Sequence, residues 1–354
     1  MRNTPGPQEP LLDIRGLRTH FMLDTGVIRA VDGLDLTLHR GETLGIIGES
    51  GCGKSVTAHS ILRLIPSPPG KIVDGEILFH PDDGAPVDLA KIDPRTEMMR
   101  TIRGGDIGMI FQEPMTSFGP LHTIGNQIME AIQIHNPGMT KNEVRNLAIE
   151  LLDQVGIPNP ELRIDAYPHE FSGGMRQRAM IAMAISCGPK LLIADEPTTS
   201  LDVTIEAQIL ELLVSLQDDT DMAILLISHN LAVVSEMADR IAVMYLGKRV
   251  ELGNTDDIFE NPLHPYTQGL WRSIPNVEGE LERLVPIPGV VPSPRDLPPG
   301  CVFASRCSEF MPGICDQPRE VPVIEVEPGH TVKCYLYSEA DLVAELPPAQ
   351  LDGT

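Results

Sequence analysis

Aromatic side chains are scarce in this chain: they make up 4% of its 354 residues, with a single Trp. Aliphatic side chains must therefore fill its core. It contains no uninterrupted apolar run of the roughly 20 residues that a membrane-spanning helix needs, so any membrane role must come through partners. The start, Met1-Arg2-Asn3-Thr4-Pro5-Gly6-Pro7, lacks the apolar stretch of a signal peptide, which predicts a chain kept in the cytoplasm. Positive charge is also short, with 27 Lys and Arg against 50 Asp and Glu, a net −23. A nucleic-acid surface needs clustered cations, so this balance argues against one. The acid excess is not confined to one tail, because residues 261–354 carry only 13 acidic against 6 basic side chains. Internal repeats and low-complexity tracts are absent as well.

What is present, 42% hydrophobic and 22% charged residues, describes a globular protein of two domains or one large one. Strand patterns run over Leu11–Ile14, Val27–Leu38 and residues 72–79, and a polar loop or insertion over 81–96. From 105 to 240, apolar runs at Ile107–Phe111, Leu191–Ala194 and Ala223–Ile227 alternate with helical periodicity at about 141–155, 174–187 and 203–217. That alternation predicts an α/β fold with a parallel sheet. After about residue 260 the composition changes: 15 of the 32 prolines and four of the six cysteines lie in 261–354, so the tail should be short of regular structure.

The segment Gly48-Glu49-Ser50-Gly51-Cys52-Gly53-Lys54-Ser55 fits G-x-x-x-x-G-K-[ST], the phosphate-binding loop of nucleotide triphosphatases. Glycines let the backbone curl round phosphates, and successive N–H groups then form an anion nest at a helix N-terminus. Lys54 supplies a charge for the outer phosphates, and the Ser55 hydroxyl suits Mg²⁺. A buried strand, Thr43–Ile47, precedes the loop and a helix from Val56 follows it. The plainer alternative is a glycine-rich strand-to-helix turn.

Further on, Leu191-Leu192-Ile193-Ala194 ends in Asp195 and Glu196. A carboxylate at that place can hold the Mg²⁺ shell, as Asp195 would, and Glu196 can act as general base toward water. Ser172-Gly173-Gly174 opens a helix and makes a second anion site, the alternative being an ordinary helix cap. One nucleotide does not need both sites in one chain. Two chains packed head to tail would use both.

With these motifs in this order, residues 11–255 resemble the ATP-binding-cassette (ABC) ATPases. The resemblance implies a P-loop NTPase cassette: a RecA-like core, an antiparallel β-subdomain and a helical signature subdomain. It makes Gly48–Ser55 with Val56 the nucleotide loop and Phe111-Gln112-Glu113-Pro114 the Q-loop, where Gln112 senses Mg²⁺ and the attacking water. Ser172, Gly173, Gly174 and Gln177 become the signature facing the partner's ATP, Ser200-Leu201-Asp202 the D-loop, and His229 the switch histidine. Catalysis falls to Glu196, His229 and Gln112, with Mg²⁺ on Ser55, Gln112 and Asp195. Phe21 stands where the family stacks an aromatic on adenine, although Val27 or Ile28 could serve instead, or Phe21 could simply pack in the core.

Finer stretches are similar to the dipeptide and oligopeptide permease ATPases: Ile107–Phe118, Tyr167–Ser172, Asp195–Thr204, Ala242–Tyr245 and His264-Pro265-Tyr266-Thr267. Gly119 and Asn230 depart from that branch, but neither change removes a catalytic group. The implied division is a disordered N-terminus at 1–10, the ATPase domain at 11–260, the branch's C-terminal extension at 261–340 and a flexible tail at 341–354. The implied role is the ATP-hydrolysing subunit of a peptide importer, peripheral on the cytoplasmic face of the membrane. Its implied partners are a second, homologous ATPase in a heterodimer, two transmembrane permeases and an extracytoplasmic peptide-binding protein. A nucleic-acid-acting ABC ATPase, in repair or at the ribosome, is the alternative.

Cys301, Cys307, Cys315 and Cys334 lie in the proline-rich tail. Disulfides do not suit a cytoplasmic protein, and four cysteines with little core suggest a metal or cluster staple. The spacing is neither that of ordinary zinc ribbons nor that of common ferredoxins, which leaves zinc, an iron–sulfur cluster and unligated thiols open. The extension resembles that of peptide-permease ATPases that hold a four-iron cluster, and this implies a [4Fe–4S] cluster here, with zinc as the alternative.

Overall fold

The computed structural model describes residues 9–112, 117–199, 201–273 and 286–338. The disordered start expected at 1–10, apart from its last two residues, and the flexible tail at 341–354 lie outside them, as do Glu113, Pro114, Met115, Thr116 and Ser200.

Two long strands open the chain, β1 (Pro10–Leu23) and β2 (Gly26–His39), followed by β3 (Thr43–Ile47) and helix α1 (Lys54–Ile61). Then come β4 (Gly70–Phe79), β5 (Val87–Asp88), α2 (Glu97–Ile102) and β6 (Ile107–Ile110). A helical stretch holds α3 (Ile124–His135), α4 (Lys141–Gln154), α5 (Pro160–Arg163) and α6 (Gly173–Ile185). The alternation resumes with β7 (Leu191–Asp195), α7 (Val203–Thr220), β8 (Ala223–Ile227), α8 (Leu231–Met237), β9 (Arg240–Tyr245) and β10 (Lys248–Asn254). Two helices, α9 (Thr255–Glu260) and α10 (Pro265–Arg272), lead into the tail, which carries β11 (Ile324–Glu327) and β12 (His330–Val332).

Two sheets result. One is antiparallel, in the order β2-β1-β4-β5; the other has eight strands in the order β11-β12-β10-β9-β3-β8-β7-β6. From β9 to β6 the strands are parallel, as the alternating pattern predicts. Residues in these strands divide by parity. Leu44, Ile46, Leu191, Ile193, Leu225 and Met244 enter one core, shared with the antiparallel sheet. Ile47, Leu192, Ala194, Leu226, Val243 and Tyr245 enter the other, shared with the helices. A sheet buried on both faces has no polar side to show, which is why these strands read as unbroken apolar runs.

Helix starts follow from local chemistry. Thr123, Thr140, Ser172 and Asp202 each accept a backbone N–H of the first turn, and Glu143 closes a capping box with Thr140. The tail is more regular than its prolines suggest. The β11–β12 hairpin joins the edge of β10, pairing Val332 with Glu251 and Thr331 with Leu252, so the tail completes the core sheet. Between 286 and 323 the chain has no strand or α-helix and is held by turns and side chains.

Candidate functional site

The phosphate loop connects β3 to α1 and is built on positive φ: +151° at Gly48, +80° at Gly51 and +103° at Gly53. A Cβ on Gly48 would lie 2.2 Å from the Met244 carbonyl oxygen and 2.8 Å from Cys52 Sγ, and one on Gly53 2.2 Å from the Ala30 oxygen. Gly51 has open space around it, so only its φ calls for glycine. Lys54 bridges the loop from within, its Nζ donating to the carbonyls of Gly48 (2.7 Å) and Glu49 (3.3 Å). Ser50 and Cys52 part ways: Cys52 is buried against Lys54, and burial pushes its thiol pKa up. Val56 packs into the core below. Gly48→Ala is expected to cost on the order of 1–3 kcal/mol of stability from the strained φ alone and to weaken ATP binding. Urea unfolding and nucleotide titration of one preparation check both parts.

Beyond the loop, the ends of β7 and β8 bring the charged residues together. Ser55 Oγ donates to Asp195 Oδ1 at 3.0 Å. Burial pushes the Asp195 carboxyl above its usual range, partly offset by the Ser55 hydrogen bond. Glu196 receives Gln112 Nε2 and Thr199 Oγ1, each at 2.9 Å on Oε2, and His229 Nδ1 at 3.2 Å on Oε1. Burial alone would raise its pKa, but the bonds from Thr199 and His229 outweigh that and hold it below the usual range. Its backbone sits in the left-handed region at φ +49°, a strained place for a glutamate. Mg²⁺ fits the donor set of Ser55 and Asp195, because a desolvated carboxylate beside a hydroxyl at the mouth of a phosphate loop lacks only a cation. Gln112 reaches the same group through Glu196.

The signature residues divide between two faces. Ser172 caps α6 by accepting Met175 N–H at 3.3 Å, and Ser172 and Gly173 are exposed. A Cβ on Gly173 would meet only Leu201 Cδ2, at 3.9 Å, so nothing in this chain demands glycine there. Gly174 is closed by Ile205, 2.9 Å from a Cβ. Gln177 points the other way: it is 1% exposed and donates to the Pro197 carbonyl at 2.5 Å. Its placement among residues facing a partner's ATP is therefore corrected, since it ties α6 to the loop after Glu196. Asp202 caps α7 through Ile205 N–H at 3.0 Å. Phe21 lies on β1 between Ile28 and Gly70, half-buried, with its ring over Gly70.

The tail cysteines need a larger correction. Cys301, Cys315 and Cys334 are buried free thiols, and Cys307 is a half-buried one. Cys301 and Cys315 pack into the main core, and Cys334 into a separate small cluster with Leu263 and Val332. Among the described residues no group of three or more His, Cys, Asp or Glu is placed to hold a metal ion. Burial pushes the thiol of Cys301 up to about 11 and that of Cys334 up to about 12, so both stay protonated at neutral pH. With no such group among the described residues, the metal staple is overturned, and neither the [4Fe–4S] cluster nor the zinc alternative stands.

Several partners of the site escaped the sequence reading. Thr199 could have been found, because a hydroxyl three residues after Glu196 can return to it across a turn. Arg306 could not. It donates to Glu49 through both terminal nitrogens, at 2.7 and 3.2 Å, across 257 residues of chain. Tyr266, singled out only by resemblance, donates no motif chemistry of its own but accepts Glu49 N–H at 2.8 Å.

Comparison with known proteins agrees with this geometry. The ABC transporter family model matches residues 31–199, and that of the oligopeptide/dipeptide transporter C-terminal region matches 250–315. A probable peptide ABC transporter ATP-binding protein of Sinorhizobium fredii is 50% identical over 96% of this chain and 99% of its own. The oligopeptide transport ATP-binding protein AppD of Bacillus subtilis is 49% identical over 93% and 97%. The dipeptide transport ATP-binding protein DppD of the same organism is 47% identical over 94% and 96%. None of these descriptions mentions an iron–sulfur cluster. Among solved structures, a dimeric bacterial ABC transporter cassette is similar at a TM-score of 0.60 and 25% identity, covering 69% of this chain and 98% of that one. The CbiO1 subunit of a Clostridium perfringens ABC transporter complex gives 0.58 and 27%, over 72% and 92%. A phosphate loop, a carboxylate pair and a helix-capping Ser-Gly-Gly on this sheet, with relatives matched almost end to end, make the chain a member of the ABC transporter ATP-binding family that carries the oligopeptide/dipeptide transporter C-terminal region.

Proposed function

We propose that this chain is the ATP-hydrolysing subunit that powers import of dipeptides or oligopeptides. One observation carries the catalytic part: Gln112, Thr199 and His229 converge on Glu196 beside the Ser55–Asp195 pair, at the open end of the phosphate loop. The named functions of AppD and DppD support peptides as cargo and favour the importer over a nucleic-acid-acting ATPase.

In this reading the loop N–H groups and Lys54 hold the triphosphate, with Phe21 near the base. Ser55, Asp195 and Gln112 would hold Mg²⁺, which neutralises charge on the outer phosphates. The ionised Glu196 takes a proton from the attacking water as its oxygen bonds to the γ-phosphorus in line with the departing ADP oxygen. Gln112 and His229 fix the carboxylate and the water. Exposed Ser172 and Gly173, with Gly174 half-buried beside them and Asp202 at the start of α7, would close over the γ-phosphate held by a second cassette. The freedom at Gly173 supports that role, since space not used by this chain is open to a partner's phosphate. The dimeric cassette among the structural relatives supports the same arrangement.

We divide the chain into a cassette at 11–260 and an extension at 261–340. We further propose that the second cassette is a different, homologous chain, and that the pair sits on the cytoplasmic face of two permeases supplied by an extracytoplasmic binding protein. Among the described residues no helix is long and apolar enough to cross a membrane. Leu121 and Leu162, 84% and 76% exposed beside α3–α5, offer apolar contacts for a permease.

The isolated chain should hydrolyse ATP poorly. Adding the second ATPase and the permeases supplies the missing donors, a change expected to raise turnover roughly 10²-fold. Steady-state phosphate release with and without those partners, together with peptide uptake into vesicles, measures it. Full activity of the chain alone at high dilution would exclude a shared site.

A further inference from the structure

The phosphate loop carries one acidic residue, Glu49, at a place where a triphosphate brings several negative charges. The residue that answers it comes from the far end of the chain. Arg306 lies in the turn between Cys301 and Cys307, with a side chain only 4% exposed. Its two terminal nitrogens grip the Glu49 carboxylate, and one also reaches Tyr245 Oη at 3.3 Å. Its Nε donates to the Pro288 carbonyl, and its guanidinium lies near the rings of Tyr245 and Phe303, 5.8 and 6.0 Å from their centroids. The arginine is thus fixed before it meets the loop. Tyr266, fully buried and packed on Tyr245 and Phe303, holds the Glu49 backbone N–H through its hydroxyl. Lys54 takes the Glu49 carbonyl from the other side. Glu49 is therefore held at its carboxylate, its N–H and its C=O, while Ser50 and Gly51 next to it have few contacts of their own.

We propose that Arg306 is a positioning residue of the nucleotide site, which cancels the charge of Glu49 and fixes the arch of the phosphate loop, so that affinity for ATP depends on the C-terminal extension. This rests on the reading of Gly48–Ser55 as the ATP loop. Two effects act in one direction. An unpaired carboxylate in the loop repels the triphosphate, with little screening because the pair is half-buried. A loop fixed in advance also spares the binding step the cost of ordering it.

The test uses the full-length chain and a fluorescent ATP analogue. Arg306→Met should weaken binding roughly five- to fiftyfold, and Arg306→Lys, which keeps the charge but loses the two-pronged grip, should fall between it and the parent. In the assembled transporter the loss should appear in KM for ATP, with kcat changed much less. The decisive variant adds Glu49→Gln to Arg306→Met. Removing the uncompensated carboxylate should restore at least threefold of the lost affinity. A merely structural Arg306 gives no such recovery, because a misfolded extension is not repaired from the loop. Parental affinity in Arg306→Met, or a double variant as weak as that single, overturns the proposal. Lys54→Ala in the same titration separates the two readings. If it binds like the parent, the ATP-loop assignment itself fails; if it loses binding while Arg306→Met does not, only the role of Arg306 falls.

Discussion

Replacing Glu196 with Gln is expected to lower ATP turnover of the assembled transporter by a factor of about 10²–10⁴ while leaving ATP bound. The amide keeps the size of the carboxylate and can still meet Gln112, Thr199 and His229. It cannot accept a proton from water. The wild-type side chain is suited to that task because its bonds from Thr199 and His229 keep it ionised, and because its strained backbone is set by the β7 terminus rather than by the side chain. The two quantities must be measured together: single-turnover phosphate release for chemistry, and nucleotide retention for binding. Turnover within about twofold of the parent would remove Glu196 from the role of general base.

The second large effect concerns how the extension is attached. Glu251 on β10 is 1% exposed and accepts three donors: the backbone N–H groups of Leu263 (2.7 Å) and His264 (2.9 Å) and the His330 ring Nε2–H (2.8 Å). These come from the start of the extension and from its final hairpin, so one carboxylate holds both ends of it to the cassette. Glu251→Leu fills the same volume but leaves three buried donors without acceptors. Each buried donor left unsatisfied costs about 1–3 kcal/mol, so a loss of several kcal/mol is expected. Glu251→Gln keeps an acceptor oxygen and should cost less, because only part of the set is lost. Urea unfolding gives the loss, and limited proteolysis should show cleavage within 286–338 ahead of the cassette. A Glu251→Leu protein as stable as its parent would mean that the extension is held mainly by other contacts.

Local chemistry made the cassette legible. The strands of the parallel sheet read as apolar runs because both faces are buried, and the end of each run marks where the functional residues begin: Gly48 after β3, Asp195 and Glu196 at β7, His229 after β8. Helix α3 was overlooked, although Ile124, Ile128 and Ile132 make a stripe of period four after the capping Thr123. The helix carries no motif residue, so only that stripe and its cap mark it. The β11–β12 hairpin was hidden for another reason. Ile324–Glu327 is half acidic, and a strand of that composition forms because β12, itself paired to the edge of β10, offers it a partner. Partners far apart in sequence left no signal at all, and Glu49 with Arg306 is the clearest case. The cysteines misled because a count and a spacing do not tell a ligand from a buried thiol.

The order of strands in the main sheet also sets an order of assembly in time. Its central strand, β3, is made well over one hundred and fifty residues before either of its neighbours, β8 and β9. Parallel pairing across such a separation costs loop entropy before any contact repays it, and slows folding. During synthesis, the apolar β3 and the glycine loop after it must wait while the helical stretch is translated. The glutamate that anchors the extension comes later still, and its last donor, His330, follows 79 residues after it. The site that binds nucleotide is thus encoded in widely separated parts, and a nascent chain carries an unpaired central strand until β8 and β9 are made. Such a chain gains from chaperone cover on the ribosome.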